Sequence, residues 1–284
     1  MTILTEHAVA GIEDRPNGNL KQLIALDVDG TLVDHDGHMS PAVRGAAQAV
    51  VQAGHEVIIA TGRSLGATLP IIELIGLDRG YAVCCNGGVI LRLDPALEDG
   101  YEVIHRETFD PAPALTALRK RLPVAKYALE DAQGRFLSTE RFQDASFGVE
   151  AIPVDFREML QAEAVRVVVF SSENTSDDFT QAIAGIGLSG VTYSVGWTAW
   201  LDIAAAGVTK ASALERLRGA LGWDAARTIA VGDGRNDVEM LSWAARGVAM
   251  GQAPDEVRAV ADEVTGTVED DGVAAVLLNV LQGR

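Results

Sequence analysis

The 284-residue chain predicts an α/β protein with a doubly wound, mostly parallel sheet that is interrupted by an inserted α+β module. Strand-like and helix-like segments alternate through the first ninety residues and again through the last ninety. This alternation is typical of a parallel sheet with helices on both faces. The middle, about Val89 to Val191, is richer in strands and has only two convincing helices, so we expect it to be an insertion.

The first elements follow from short local signals. Residues Leu23–Leu26 form an apolar run without alternation, which suits a strand that is covered on both faces. In the helix that follows, Ser40 is the predicted N-cap, Pro41 lies in the first turn and Gly54 ends the helix. The next predicted elements are a strand at 55–61, a helix at 64–76 and a strand at 81–88.

The insertion and the last part are interpreted in the same way. In the insertion we predict strands at Val89–Arg92, Tyr101–Arg106, Lys126–Glu130 and Val165–Phe170, with helices around Asp110–Leu122 and Ser176–Ile186. The last part predicts core strands at 200–205, 228–233 and 248–250, with helices at 209–222, 237–247, 254–261 and 271–281. The expected organisation is a flexible leader at 1–20, a core formed by 21–88 and 192–284, and an insertion at 89–191.

Composition and charge exclude several classes of protein. The formal net charge of −17 opposes binding to nucleic acid or to an anionic membrane, since both require a basic surface. No apolar run is long enough to cross a membrane, and the first twenty residues lack the features of a secretory signal. Cys84 and Cys85 are adjacent and too constrained for an ordinary disulfide, which indicates a reducing compartment, hence the cytoplasm. A monomer and a homodimer both stay open.

The candidate site lies at the carboxyl ends of the predicted core strands, where open parallel sheets bind their ligands. Carboxylates that converge there repel one another unless a cation lies among them. Mg²⁺ takes carboxylates together with water and phosphate oxygens, so the sequence predicts Mg²⁺ beside a phosphate. A calcium loop is excluded because the sixth position from Asp27 is Leu32 and the twelfth is His38. The residues delivered to this edge are Asp27, Asp29, Thr61, Gly62, Arg63, Asn86, Lys210, Asp233, Asn236 and Asp237.

Lys210 is the most informative single residue of this set. It lies in the first turn of a predicted helix that Thr209 caps, where the helix dipole disfavours a cation. A lysine is ordinarily a solvated surface residue, but beside carboxylates and a phosphate it can hold both. Because the dipole penalty would disappear, removal of Lys210 is expected to leave stability level or slightly higher. Similarly, Thr61 to Arg63 open a helix whose amides can receive an anion.

Four of these segments resemble, in order, the four motifs of the haloacid dehalogenase superfamily. They are "DVDGTL" at Asp27–Leu32, "TGR" at Thr61–Arg63, Lys210, and "GDGRND" at Gly232–Asp237. "NGG" at Asn86–Gly88, followed by an insertion of roughly a hundred residues, resembles the Cof-type branch with its large α+β cap. The resemblance covers the chain from Leu23 onward. It implies a HAD-like, Rossmannoid core and a cap that shapes the pocket of the leaving group.

The resemblance also implies a mechanism. Asp27 would attack phosphorus and form an aspartyl-phosphate, while Asp29 would protonate the departing alcohol and later deprotonate water. Mg²⁺ would lie on the Asp27 carboxylate, the Asp29 backbone carbonyl and Asp233, with Asp237 orienting this set. The phosphoryl group would contact Thr61, the Gly62 amide, Lys210 and Asn236, whereas Arg63 and Asn86 are weaker candidates for substrate contact.

Asp29 distinguishes between the activities that are known in the superfamily. A dehalogenase needs no proton donor for a halide, whereas a phosphatase must protonate an alkoxide, so Asp29 favours a phosphatase. The expected substrate is a small phosphorylated metabolite such as a sugar phosphate; flavin, pyridoxal and nucleotide monophosphates stay open. The alternatives are a phosphosugar phosphomutase, which uses the same acids, and a phosphosugar-binding regulator without turnover.

Overall fold

The computed structural model of the chain describes residues 21–140, 150–173, 175–186, 190–195 and 200–283. The predicted flexible leader at 1–20 lies outside these residues. Among the helices in the described part, none combines the length and the apolar character that a membrane crossing requires.

The described secondary structure comprises strands, α-helices and short 3₁₀ helices. The strands are β1 Leu23–Leu26, β2 Glu56–Ala60, β3 Gly80–Cys84, β4 Val89–Leu93, β5 Tyr101–Arg106, β6 Lys126–Asp131, β7 Phe136–Ser138, β8 Ile152–Pro153, β9 Ala164–Phe170, β10 Val191–Val195, β11 Trp200–Ala205, β12 Thr228–Gly232, β13 Arg246–Ala249 and β14 Glu263–Val264. The α-helices are α1 Pro41–Gln52, α2 Leu65–Leu74, α3 Ala112–Arg121, α4 Phe156–Met159, α5 Ser176–Ile186, α6 Lys210–Ala220, α7 Val238–Trp243, α8 Asp255–Arg258 and α9 Gly272–Leu281. The 3₁₀ helices lie at Cys85–Gly87, Ala225–Arg227 and Arg235–Asp237.

The larger sheet forms the core of the protein and has the strand order β14-β13-β12-β1-β2-β3-β4-β5. Its strands pair in parallel from β14 to β3, and β4 and β5 continue it in antiparallel pairing. The predicted doubly wound, mostly parallel sheet is therefore confirmed.

Strand β1 shows why this sheet needs helices on both faces. Ile24 and Leu26 pack in one apolar cluster with residues of α1, α2 and α9. Leu23 and Ala25 point to the other face and pack in a second cluster with residues of α6, α7 and α8. All four side chains are fully buried. The continuous apolar run in the sequence is the consequence of this double cover.

The second sheet forms the cap and has the order β10-β11-β9-β6-β7-β8. Its central strands are antiparallel, with β9 between β6 and β11. One face of this sheet packs on α3 and α5 through a cluster that includes Leu115, Leu118, Phe179, Val167 and Leu201. The chain thus enters the cap after β5 and leaves it after β11, which confirms an α+β insertion within an α/β core.

Three strands belong to a different sheet from the one that the sequence predicts. Strands β4 and β5, expected in the insertion, pair in the core sheet. The 3₁₀ turn at Cys85–Gly87 causes this, because it contains positive φ angles and folds β4 back onto β3 with Val89 opposite Cys84. Strand β11, expected in the core, pairs with β9 and β10 of the cap. Its apolar residues Leu201 and Ile203 are buried in the cap, so an apolar run alone does not indicate which sheet the strand joins.

Candidate active site

Parallel pairing brings the carboxyl ends of three core strands to one edge. Leu26 of β1 lies opposite Ile59 of β2 and Val231 of β12. The next amide, Asp27 N–H, still donates to the Val231 carbonyl at 3.0 Å, so Asp27 continues the ladder at the edge of the sheet. The acids that follow β1 and β12 therefore meet there, as the sequence predicts.

Three buried carboxylates and one buried ammonium form the centre of this edge. One carboxylate oxygen each from Asp27, Asp233 and Asp237 lies within 4.8 Å of the others. Lys210, which is fully buried, donates from Nζ to Oδ1 of Asp27 and to Oδ1 of Asp237, at 2.6 Å in both cases. One positive charge thus faces three acids that are almost completely removed from water.

The imbalance of charge appears in the pKa values. Burial, with the nearby Asp237 carboxylate, raises the pKa of Asp27 to about 7 in spite of the Lys210 ammonium. Burial, with the carboxylates of Asp27 and Asp237, raises the pKa of Asp233 to about 8. Burial disfavours the charged Lys210 ammonium, but the Asp237 and Asp27 carboxylates overcome this and raise the pKa of Lys210. The three carboxylates outnumber the one ammonium, so the site can accept a further positive charge. A hard divalent cation such as Mg²⁺ is the kind of ion that oxygen donors of this density bind.

Asp237 accepts three hydrogen bonds from the protein. Its Oδ2 accepts hydrogen bonds from the amides of Asp233, at 3.0 Å, and Gly234, at 2.9 Å, while its Oδ1 accepts the bond from Lys210. Asp237 therefore fixes both the loop that carries Asp233 and the ammonium of Lys210. Asp27 and Asp233 each accept one of the side-chain bonds described here, so they keep more oxygen sites for a cation than Asp237, which orients them.

Close approaches of the backbone explain two glycines of the motifs. Gly30 has a φ of +77°, and a Cβ there would lie 2.2 Å from Oδ2 of Asp233. Gly87 has a φ of +107°, and a Cβ there would lie 2.2 Å from the carbonyl oxygen of Thr209. A larger residue at either position would displace a group of the site. Gly87 thus lets the first turn of α6, which carries Lys210, pack against the end of β3.

The start of α6 is fixed by a capping box. Thr209 Oγ1 accepts from the Ser212 amide at 3.1 Å, and Ser212 Oγ accepts from the Thr209 amide at 3.0 Å. This places Lys210 at the first helical position with its side chain directed into the buried acids. The structure excludes the interpretation of Lys210 as a solvated surface lysine.

Asp29 lies apart from the buried acids and pairs with Arg63. Arg63 donates from Nη2 to Oδ1 of Asp29 at 2.6 Å and from Nε to Oδ2 at 2.9 Å. The Asp29 side chain is 60% exposed, whereas that of Arg63 is 13% exposed. The predicted metal donor at Asp29 is its backbone carbonyl, and its carboxylate is not part of the cluster. Arg63, a weak candidate for substrate contact, holds Asp29 through these two bonds.

The polar residues after β2 and β3 join the same edge. Thr61 is fully buried, and its Oγ1 accepts from the Arg63 amide at 3.1 Å. The Asn86 amide donates to the Thr61 carbonyl at 3.0 Å, and the Asn236 side chain donates from Nδ2 to Oδ1 of Asn86 at 2.9 Å. A Cβ on Gly62 would lie 3.1 Å from that Asn86 oxygen. The structure therefore brings together the predicted residues Thr61, Gly62, Asn86 and Asn236.

Gln252 is a residue of the site that the sequence interpretation missed. It donates from Nε2 to the Gly30 carbonyl at 2.6 Å and to Oδ2 of Asp233 at 3.3 Å. Its Oε1 accepts from the Val268 amide at 3.0 Å, which fixes the side chain. Gln252 follows β13 at the carboxyl edge of the sheet, so a search of that strand end would have found it.

A cavity of about 510 Å³ opens between the core and the cap. On the core side it is lined by Asn86, Lys210 and Asn236, and on the cap side by Arg166 and Asp202, among others. A molecule that fills this cavity contacts both the core and the cap.

Comparisons with known proteins agree with this geometry. The family of haloacid dehalogenase-like hydrolases matches residues 24–277. The pyridoxal phosphate phosphatase YbhA of Escherichia coli (strain K12) is 30% identical over 281 residues, which cover 92% of this chain and 98% of that protein. The 5-amino-6-(5-phospho-D-ribitylamino)uracil phosphatase YitU of Bacillus subtilis (strain 168) is 27% identical over 262 residues, covering 90% of this chain and 96% of that protein. The solved structure of the subclass IIB sugar phosphatase BT4131 has a TM-score of 0.74 at 25% identity, covering 91% of this chain and 98% of that chain.

These matches extend over both the core and the cap, and they include the strand ends from which the site is built. These three relatives, which match along almost their whole length, are phosphatases. The chain therefore belongs to the haloacid dehalogenase superfamily, in which it is a phosphatase of the Cof-type branch.

Proposed function

We propose that the protein is a Mg²⁺-dependent phosphomonoesterase that acts on a small phosphorylated metabolite through an aspartyl-phosphate at Asp27. The observation that carries this proposal is the buried pair of Asp27 and Lys210, which lies beside Asp233. The pair places a nucleophile and a fixed positive charge together, next to a second carboxylate with oxygens to spare for a metal ion.

The first step transfers the phosphoryl group to the enzyme. The Asp27 carboxylate attacks phosphorus while the bond from phosphorus to the leaving oxygen breaks. The Lys210 ammonium, the Thr61 hydroxyl and the Gly62 amide offset the negative charge on the phosphoryl oxygens. Asp29, in its protonated form, gives its proton to the leaving oxygen, so that a neutral alcohol departs. For this transfer one oxygen of Asp29 turns to the substrate, while the other keeps its hydrogen bond with Arg63.

The second step hydrolyses the aspartyl-phosphate. Asp29, now a carboxylate, takes a proton from water as the water oxygen attacks phosphorus. The bond from phosphorus to the Asp27 oxygen breaks, which restores the Asp27 carboxylate and releases inorganic phosphate. Asp29 is protonated again at the end, so the residues return to their starting state.

Asp27, Asp233 and the Asp29 backbone carbonyl would hold Mg²⁺, while Asp237 and Gln252 would keep Asp233 in place. When bound there, Mg²⁺ would supply Lewis-acid stabilisation of the phosphoryl charge and would keep the buried acids ionised at neutral pH.

The substrate class rests on the relatives. One acts on pyridoxal phosphate, another on a phosphoribitylamino-uracil, and a third is a sugar phosphatase. We propose the same class, a small phosphorylated metabolite, for this chain. We also propose a cytoplasmic location, because Cys84 and Cys85 are both buried free thiols, as a reducing compartment keeps them.

Hydrolysis of p-nitrophenyl phosphate tests this function. Activity should vanish after treatment with EDTA and return with Mg²⁺, whereas Ca²⁺ should support it poorly because of its looser, higher coordination. Steady release of inorganic phosphate without a bisphosphate activator would exclude a phosphomutase. Full activity in a metal-stripped sample would overturn the proposal, and the absence of any turnover with Mg²⁺ would favour a regulator.

A further inference from the structure

A row of polar side chains crosses the cap sheet on the face that is opposite to its helices. In the paired strands, Glu130 of β6 lies opposite Arg166 of β9, and Asp202 of β11 lies opposite Ser194 of β10. Asp202 lies opposite Val168, two residues from Arg166, so that the side chains of this row share one face. The intervening residues, such as Val167 and Leu201, point to the other face and pack with α3 and α5.

Asp202 is held in one orientation by two donors. The guanidinium of Arg166, which is almost fully buried, donates from Nε to Oδ1 of Asp202 at 2.5 Å. Trp200 donates from Nε1 to Oδ2 of Asp202 at 2.9 Å. The Asp202 side chain is nevertheless 17% exposed, and it lines the cavity between the core and the cap. Because each carboxylate oxygen has two acceptor sites, both oxygens can accept a further hydrogen bond from a ligand.

The row continues into the core through a buried thiol. The Cys85 thiol donates to Oε2 of Glu130 at 3.1 Å, and both side chains are buried. Cys85 directly precedes Asn86, which hydrogen-bonds to Asn236 at the edge of the core sheet. The face of the cap that carries Asp202 is therefore in contact with the strand end that carries the phosphate-site residues.

The charges of the cavity argue against a second anionic group on the ligand. Among the described residues that line it, four carboxylates stand against three cations. Each of the cations already contacts an acid: Lys210 contacts Asp27 and Asp237, Arg166 contacts Asp202, and Arg235 contacts Glu256. A second phosphate on the ligand would have to compete with these acids for the cations. Neutral hydroxyl groups could instead donate hydrogen bonds to the carboxylates of the cavity.

We propose that Asp202, oriented by Arg166 and Trp200 and facing Ser194, recognises hydroxyl groups of the leaving alcohol. The substrate is then a monophosphate of a neutral polyhydroxylated alcohol, whose hydroxyls donate to Asp202. The inference rests on the proposed function, because it assigns the phosphoryl end of the same molecule to Asp27 and Lys210. It goes beyond that function because it names the residue of the cap that determines specificity and the hydroxyl groups that this residue binds.

Substitution of Asp202 by Asn keeps the shape of the side chain but removes its charge and one acceptor. The probes are erythritol 4-phosphate, ribitol 5-phosphate and mannitol 1-phosphate, each compared with p-nitrophenyl phosphate, which has no hydroxyl group on its leaving group. For the best polyol phosphate, the ratio of its kcat/KM to that of p-nitrophenyl phosphate should fall roughly tenfold to hundredfold in Asp202→Asn. Asp177→Asn removes another carboxylate of the same cavity and should change this ratio less than about twofold.

A binding measurement separates this inference from the proposed function. In the Asp27→Asn background, calorimetric titration with the polyol phosphates and with phenyl phosphate should show that Asp202→Asn weakens only polyol binding. Equal loss for both ligands, or an unchanged ratio of kcat/KM, would overturn the role of Asp202. A wild-type enzyme that prefers none of the polyol phosphates over p-nitrophenyl phosphate would overturn it as well. Failure of the wild type to hydrolyse even p-nitrophenyl phosphate with Mg²⁺ would instead overturn the proposed function.

Discussion

The ammonium of Lys210 lies 2.6 Å from Oδ1 of Asp27, although 183 residues separate the two in the sequence. The cap is inserted between them, and α6, which packs on the core sheet with Leu23 and Ala25 of β1, brings Lys210 back to Asp27. Because Lys210 is fully buried and bonds to Asp237 as well, this contact joins three parts of the core in one ion cluster.

Replacement of Lys210 by Met should lower turnover by about two orders of magnitude or more, because it removes a fixed charge from the phosphoryl site. The free energy of unfolding should also fall, by about 3–5 kcal/mol, because the buried acids lose their counter-ion. The buried ion pairs of Lys210 thus replace the expectation of level stability, which rested on the helix dipole alone. Thermal denaturation and p-nitrophenyl phosphate turnover check both effects. Lys126→Met, which alters a partly exposed lysine of the cap, is the matched control, and a fully active Lys210→Met variant would contradict the assignment.

Stability of the metal-free protein should fall as pH rises. The pKa values of Asp27 and Asp233 are raised to about 7 and about 8 in the folded protein, from 3.8 in the unfolded chain. Between pH 3.8 and about 8 the folded state therefore binds more protons than the unfolded state. The stability that is present at low pH is lost as pH rises through this window. In EDTA, Tm should fall by roughly 4 °C or more between acidic and mildly alkaline buffer. Mg²⁺ should restore more stability at the alkaline end, and Asp27→Asn with Asp233→Asn should flatten the profile. A Tm in EDTA that rises over this range would contradict the prediction.

Asp27 and Asp29 should fail in different ways when each becomes Asn. Asp27→Asn should abolish turnover, because an amide cannot form the phosphoenzyme. Asp29→Asn should retain part of the first step with p-nitrophenyl phosphate, whose leaving group departs without a proton, but hydrolysis of the phosphoenzyme should be slow. Rapid mixing should show a burst of about one nitrophenolate per site, followed by a slow phase. Equal losses for alkyl and aryl phosphates, with no burst, would remove Asp29 from the acid–base role.

Arg63→Ala should reduce the hydrolysis of alkyl phosphates about tenfold and that of p-nitrophenyl phosphate less. The reason is that Arg63 holds Asp29 with two hydrogen bonds, and only an alkoxide leaving group depends strongly on a positioned proton donor. Steady-state kinetics with both substrates checks this. Arg79→Ala removes an exposed arginine that pairs with Asp94 at 3.5 Å, and it should change neither rate. An Arg63→Ala variant with equal losses for both substrates would show a role in phosphate binding instead.

The sequence was sufficient to predict residues at the carboxyl edge of the core sheet. Polar residues that directly follow a buried strand must lie at the edge where that strand ends. Asp27 and Asp233 were found in this way, and the parallel register of β1 and β12 then places them together. Lys210 was found from its place in the first turn of a predicted helix, where a cation is unfavourable. The pairing of Arg63 with Asp29 could not be predicted, because it depends on side-chain directions and not on strand position. Glu130, Arg166 and Asp202 lie on separate strands of the cap, and nothing in their local sequence indicates that they form a row.

The predicted assignment of β4, β5 and β11 to a sheet was wrong for a related reason. The apolar residues of β4 and β11 indicate burial, and burial occurs in both sheets. The hairpin from β3 to β4 depends on the positive φ angles of Cys85, Asn86 and Gly87, which propensities of single residues do not reveal for Cys85. The sequence therefore predicted the kinds of elements and the catalytic edge, but the sheet that each middle strand joins depends on turn geometry.

The way in which the chain enters and leaves the cap limits how this cap could be exchanged between relatives. Strand β5 ends at Arg106 in the core sheet, and β11 ends at Ala205, five positions before Lys210. A chimera cut at 88/89 and 191/192 would discard two core strands and would leave β11 without its partner β9. A graft joined after Arg106 and before Gly207 would keep the core sheet whole and would carry Asp202 with the incoming cap. The incoming cap would then bring its specificity residues as one unit, and a short linker would join it to α6, which carries Lys210.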